Sequence, residues 1–220
     1  VGAYGGDVTV NNCIIEAADK NHVHMGIVTG AFSGTTYNFT GNTIKNLYTP
    51  FYLVDMLKGT LNVENNTMEN GYASQIGAGF ENASIKDNTF KGDEAYAFSL
   101  TGACTLDPVK LSNGNSLIVN GVEEPVYVRG YDELYTVKGN DFLVTDSYPG
   151  KPGTPGNDYS DFAKTMQYLS TKYPQVSAAT APTVSIEKTV TTNSTDASIT
   201  LPDGLTLKLN GNTVTLPNAT

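Results

Sequence analysis

An asparagine followed two residues later by an apolar side chain returns along most of this chain. The copies read Asn12-Cys13-Ile14, Asn42-Thr43-Ile44, Asn66-Thr67-Met68, Asn88-Thr89-Phe90, Asn115-Ser116-Leu117 and Asn140-Asp141-Phe142. Three residues before the anchor the side chain is again mostly apolar: Phe39, Val63, Ile85 and Val137. The copies at Asn12 and Asn115 fit that upstream position with a slip of one residue. Successive anchors lie 30, 24, 22, 27 and 25 residues apart. A recurring unit of this length means a solenoid, in which each repeat buries its apolar face only against its neighbours.

Strand periodicity decides which kind. Apolar and polar residues alternate over short runs, as in Leu61-Asn62-Val63 and Ser84-Ile85-Lys86, with turn residues between. Helical repeats need longer runs of period 3.6, and none occurs before residue 160. A coil of this length has room for three short strands and three turns. Asparagine tolerates left-handed backbone and bonds to nearby main chain. Stacked coils put the anchors about 4.8 Å apart, where their amides can bond along the stack as a ladder. The expected ladder is Asn12, Asn42, Asn66, Asn88, Asn115 and Asn140.

The pattern apolar-x-x-Asn-Thr-(Ile/Met/Phe) resembles the repeat of right-handed parallel β-helix proteins, the pectate-lyase-like group, over roughly residues 7–145. The resemblance implies an all-β fold, a right-handed parallel β-helix solenoid. It says little about function, because that group includes lyases, hydrolases, phage tail spikes and bacterial surface proteins.

The organisation follows. Residues 1–145 form the solenoid, with coils over 1–36, 37–57, 58–80 and 81–101. The broad strands are expected at Phe51 to Met56, Ser74 to Phe80 and Ala95 to Leu100. A looser stretch through Cys104 and Pro108 follows, and Val126 to Arg129 and Leu134 to Val137 close the solenoid. Residues 146–159 are rich in Pro and Gly and read as a loop or linker. Residues 160–174 read as one amphipathic helix, with Ser160 as N-cap, Phe162, Met166, Leu169 and Tyr173 on one face, and Pro174 as terminator. Its expected task is to cover the apolar end of the last coil. Residues 175–220 return to strands and contain a seventh anchor, Asn212, in a stretch that resembles the opening coil of parallel β-helices. Such a coil at this end means either a second solenoid beginning here or a coil that docks on a solenoid end, its own or a neighbour's.

Composition narrows the setting. Charged residues make up only 16% and the formal net charge is −9. Low charge and an Asn/Thr-rich surface suit an extracellular or cell-surface β-protein. A negative balance argues against nucleic acid and against acidic membrane surfaces. No apolar run is long enough for membrane insertion. The chain opens at Val1, which reads as a mature form or a fragment. Cys13 and Cys104 fall in coils too far apart for a disulfide and are expected as buried free thiols. Acceptor-type tripeptides such as Asn38-Phe39-Thr40 match the glycosylation pattern, as expected by chance in a chain this rich in Asn and Thr.

No strong catalytic motif stands out. His22 and His24 project from one face of a strand and are the best metal pair, with Asp55 as a third ligand. Exposed histidines without metal are the commoner arrangement. Glycoside hydrolysis needs two facing carboxylates; Asp55, Asp93, Glu94, Asp132 and Glu133 are available, four of them in turns. By resemblance, β-helix lyases use a Lys or Arg base with calcium-binding acids. This chain has the single arginine Arg129 and no paired basic motif. Tyr52, Tyr127 and Tyr131 are the candidates for sugar stacking. The expectation is a structural or adhesive surface module without a cofactor, its partner a polysaccharide or host glycan. The alternatives are a polysaccharide-degrading enzyme using Asp55, Arg129 and His24, or a fibre or spike subunit self-associating through its C-terminal coil.

Overall fold

The computed structural model describes residues 1–4, 6–19, 24–30, 35–54, 58–77, 79–92, 97–101, 104–124, 126–130, 135–138, 141–146, 161–172, 182–192, 199, 201 and 203–216. The chain divides into two compact units, Val1–Asp132 and Glu133–Thr220.

The first unit is a parallel β-solenoid with three faces. Each early coil contributes one strand to face A, one to face B and one to face C. The first coil holds β1 (Gly2–Ala3), β2 (Val8–Asn11) and β3 (Ile14–Glu16). The second holds β4 (Met25–Thr29), β5 (Thr36–Thr40) and β6 (Thr43–Lys45). The third holds β7 (Thr49–Leu53), β8 (Gly59–Glu64) and β9 (Thr67–Glu69), and the fourth β10 (Ser74–Ile76), β11 (Phe80–Lys86) and β12 (Thr89–Lys91). The fifth departs from the pattern. After β13 (Phe98–Leu100), the short helix α1 (Pro108–Asn113) takes the place of a face-B strand before β14 (Ser116–Val119). The hairpin partner β15 (Val122–Glu124) pairs antiparallel with β14. Its two-residue turn is Asn120-Gly121, both at positive φ, the usual chemistry of a type I′ hairpin. A last face-A strand, β16 (Tyr127–Arg129), pairs parallel with β13.

Register explains the apolar alternation. Val10, Phe39, Val63 and Ile85 stack through face B, and Ile15, Ile44, Met68, Phe90 and Leu117 through face C. Between the first and last coils these side chains are buried. Each large apolar side chain so buried contributes about 1.5–3 kcal/mol. The face-A column runs Ile27, Phe51, Ser74, Phe98, Val128. Ser74 sits between two phenylalanines, and its hydroxyl is the one buried side-chain polar atom without a partner among the described residues.

The asparagine ladder runs through Asn42, Asn66, Asn88 and Asn115, all buried. Asn42 donates both its backbone N–H (2.9 Å) and its side-chain amide (3.0 Å) to Asn66 Oδ1. Asn88 does the same to Asn115 Oδ1, at 3.1 and 2.9 Å. The amides also reach the inward carbonyls of the preceding coil: Asn66 to Phe39 (2.8 Å), Asn88 to Val63 (2.8 Å) and Asn115 to Ile85 (3.1 Å).

Asn12 is not a rung. Ile15, not Ile14, is in register with Ile44, so Cys13 occupies the ladder position, and its N–H donates to Asn42 Oδ1 (3.0 Å). Asn12 lies one residue earlier, at φ 52°, where Gly41, Asn65 and Asp87 also have positive φ. That column turns the chain from face B to face C. The left-handed backbone expected of the anchors therefore belongs to the residue before Asn42, Asn66 and Asn88. Ile14 consequently points outward, at 73% exposure. Asn140 lies outside the described residues.

Other expectations shift for local reasons. Ser74 to Phe80 is two strands on different faces, not one. Met25 is 44% exposed and Ile27 fully buried. The strand thus begins at Met25 itself, and the inward alternation starts at Ile27. Both cysteines are free, but Cys13 is exposed because it sits in the first coil, and Cys104 is only half-buried. Burial raises the pKa of the Cys104 thiol, opposed by a backbone hydrogen bond from Leu106.

The second unit contains an antiparallel set, β17 (Tyr135–Lys138), β18 (Phe142–Asp146) and β19 (Thr183–Ile186). The helix α2 (Phe162–Lys172) presents buried Phe162, Met166 and Leu169, and the Phe162 ring meets Phe142 edge-on at 5.6 Å. Asp161 caps it, accepting from Lys164 N–H at 3.0 Å; Ser160, Tyr173 and Pro174 lie outside the described residues. β20 (Val190–Thr191), β21 (Thr206–Lys208) and β22 (Val214–Thr215) complete the unit. β21 pairs parallel with β19 and β22 with β20. No helix among the described residues is long and apolar enough to cross a membrane.

Candidate functional site

Face A brings two of the candidate residues into one line. Val28 pairs with Tyr52, Tyr52 with Gln75, Gln75 with Ser99, and Ser99 with Arg129. These residues alternate with the inward Phe51, Ser74, Phe98 and Val128, so they project outward. Tyr52, Gln75 and Arg129 are half-buried and Ser99 is nearly covered. Tyr52 and Arg129 stand three strand spacings apart, about 14 Å along the axis. The row thus offers an aromatic face, an amide, a hydroxyl and a guanidinium in register.

A second strip borders this row. Thr29 Oγ1 donates to Val54 O (2.8 Å) and accepts from Val54 N–H (2.9 Å). Gly77 follows Gln75 by two residues. A Cβ there would meet Val54 Cγ1 at 2.6 Å and lie 3.6 Å from Thr101 Oγ1. Glycine therefore keeps the strip low between Val54 and Thr101.

Tyr127 is not available for stacking. It is buried in β16, at the position in register with buried Ala97, one residue before the inward column of face A. Tyr131, His22, Asp55, Asp93, Glu94, Asp132 and Glu133 lie outside the described residues. His24 is exposed just before β4, its carbonyl accepting from Thr49 N–H (3.1 Å). Among the described residues no group of three or more His, Cys, Asp or Glu is assembled that could hold a metal ion. The face-A row contains no carboxylate, so it does not supply the two acids of glycoside hydrolysis.

The sequence reading missed a stacked pair. Tyr48 and Tyr72 lie face to face at the corner leading into face A, with ring centroids 5.1 Å apart and planes at 10°. Their separation of 24 residues equals that of Asn42 and Asn66, which was the available signal. Face C carries a different device. Glu16, Lys45, Glu69 and Lys91 are in register. Glu69 bridges Lys45 (3.2 Å) and Lys91 (3.7 Å).

The fold and this face define a parallel β-solenoid protein with an asparagine ladder and an outward polar-aromatic row. No family model, curated protein or solved structure matches the chain.

Proposed function

We propose that this chain is a secreted or cell-surface structural module that binds extended polysaccharide along face A. The observation that carries the reading is the in-register row Tyr52, Gln75, Ser99, Arg129. Sugar recognition combines an apolar stacking surface with a few fixed polar groups, and a linear row matches a linear polymer. Arg129 ends the row with a guanidinium. The low charge and the Thr/Asn-rich outer surface support an extracellular setting.

Affinity electrophoresis through gels containing neutral or acidic polysaccharides tests this, with the gel then stained for polymer. Retardation without clearing, lost in Tyr52→Ala and Arg129→Ala at unchanged melting temperature, is the expected result. Clearing around the band would replace the binding reading by a glycan-degrading enzyme. Unchanged mobility in every gel would sink both.

A further inference from the structure

Two successive corners between faces C and A are built alike. Asn46 and Asn70 turn the chain with left-handed backbone, at φ 57° and 56°, a conformation that asparagine tolerates. Asn70 donates its side-chain amide to Asn46 Oδ1 at 3.2 Å. Gly71 then lies so close to the corner before it that a Cβ there would meet Pro50 Cγ at 2.6 Å and Leu47 O at 2.8 Å. Glycine lets the two corners close to this distance. Tyr48 and Tyr72 follow, each two residues after its asparagine, and Tyr72 N–H donates to Tyr48 O at 2.9 Å. The two side chains therefore leave the backbone side by side, one strand spacing apart.

That placement sets the ring geometry. The planes are within 10° of parallel and the centroids 5.1 Å apart. Carbons in contact lie about 3.5–4.0 Å apart, so the rings are slipped sideways by about 3–4 Å and meet at their rims. A small rotation about Cβ–Cγ, a torsion with broad wells, brings rim carbons of one ring against those of the other. Tyr48 is 38% exposed and Tyr72 half-buried, so a small oxidant reaches the pair from solvent. Tyr37 and Tyr127, by contrast, are buried in the core.

We infer that Tyr48 and Tyr72 form an oxidative cross-linking site, joined as dityrosine by a small one-electron oxidant generated from hydrogen peroxide. Each phenol loses one electron and one proton. The two phenoxyl radicals couple by a carbon–carbon bond between ring positions next to the oxygens. The hydrogen at each of those carbons then passes to the oxygen of its own ring, which restores both phenols. The two electrons and two protons removed reduce one peroxide to two waters. Holding both rings in contact replaces a diffusive encounter of radicals by an intramolecular step. The product ties the third coil to the fourth across the 24 residues that separate the two tyrosines. A covalent tie of this kind restricts the unfolded chain. The site does not depend on the glycan reading.

Brief oxidation of the dilute full chain with photogenerated tris(bipyridine)ruthenium(III) and persulfate tests the inference, with N-acetyltyrosinamide oxidised alongside as a control for dimerisation. Trypsin cuts after Lys45, Lys58 and Lys86, leaving Tyr48 in the peptide 46–58 and Tyr72 as the one tyrosine of the peptide 59–86. The expected product is a linked pair of these peptides, two hydrogens lighter than their sum, with tandem fragmentation placing the bond at Tyr48. Its yield should not change with protein concentration. Tyr48→Phe and Tyr72→Phe keep both rings, and each should abolish the pair; melts before oxidation verify the folds. The linked wild type should melt at a higher temperature than the unoxidised chain. No linked pair while the control dimerises, a bond at Tyr52 instead of Tyr48, or a yield that rises with concentration overturns the site. A linked chain that melts no higher overturns its action as a staple.

Discussion

Asn66 gives two hydrogen bonds to one oxygen of Asn88: its backbone N–H at 3.0 Å and its side-chain amide at 2.9 Å both reach Asn88 Oδ1. The same amide reaches Phe39 O and Glu64 O, and Asn66 Oδ1 accepts two donors from Asn42. A buried donor left without its partner costs about 1–3 kcal/mol. Asn66→Ala strands several at once and is predicted to lose at least about 3 kcal/mol in urea unfolding. Asn12→Gly, at an exposed left-handed position, is predicted to change stability by less than about 1 kcal/mol. Equal losses for the two would refute the ladder as a source of stability.

The ladder stops at Cys13, which has the rung's backbone donor but no amide. Cys13→Asn adds a second donor to Asn42 Oδ1, already 3.0 Å from the Cys13 nitrogen. One net hydrogen bond contributes about 0.5–1.5 kcal/mol, so the melting temperature should rise. A fall would mean that the first coil cannot present the amide inward.

Ser74 carries an unpartnered hydroxyl between Phe51 and Phe98. Ser74→Ala removes the stranded group without changing the space available to the rings. A gain of about 1 kcal/mol is expected in the same unfolding assay; a loss would point to a water bound at that oxygen.

The two thiols should differ in reactivity. The thiolate is the attacking species. Burial raises the Cys104 pKa, so Cys104 holds its proton to higher pH, and Cys13 is exposed. Alkylation followed by peptide mass spectrometry is predicted to modify Cys13 first. The reaction at Cys104 should need more alkaline conditions. Faster reaction at Cys104 would contradict its burial.

The Lys45–Glu69–Lys91 column is partly exposed, so its contribution is small. Glu69→Gln should cost about 0.5 kcal/mol at low ionic strength and less as salt screens the pairs. A large loss, or one insensitive to salt, would exclude the ion pairs as its source.

How far the sequence reached can be judged at single residues. Asn42, Asn66, Asn88 and Asn115 were legible because each is followed by one polar and one inward residue at nearly constant spacing. The first copy misled because Asn11-Asn12-Cys13-Ile14-Ile15 offers two registers. Only pairing with β6 separates them, putting Ile15 inward and Ile14 in solvent. Helix α1 was illegible because Pro108-Val109-Lys110-Leu111-Ser112-Asn113 is too short to display a helical period. Tyr52 and Arg129 were each picked out alone. That they share a line required the register of four strands, which no local pattern encodes. Tyr127 failed as a stacking candidate because alternation does not hold where a strand leaves a corner.

Helix α1 also decides how the solenoid bears load. In the second to fourth coils, an axial pull is shared by strand-to-strand bonding on all three faces. At the fifth, face B has no such bonding among the described residues: β11 ends its sheet, Ala83 is exposed although its register partner Leu61 is fully buried, and a shallow cleft lies between Ile85 and Leu111. Stretched end to end, the coil stack should part between its fourth and fifth turns, a built-in yield point at a fixed height along the rod.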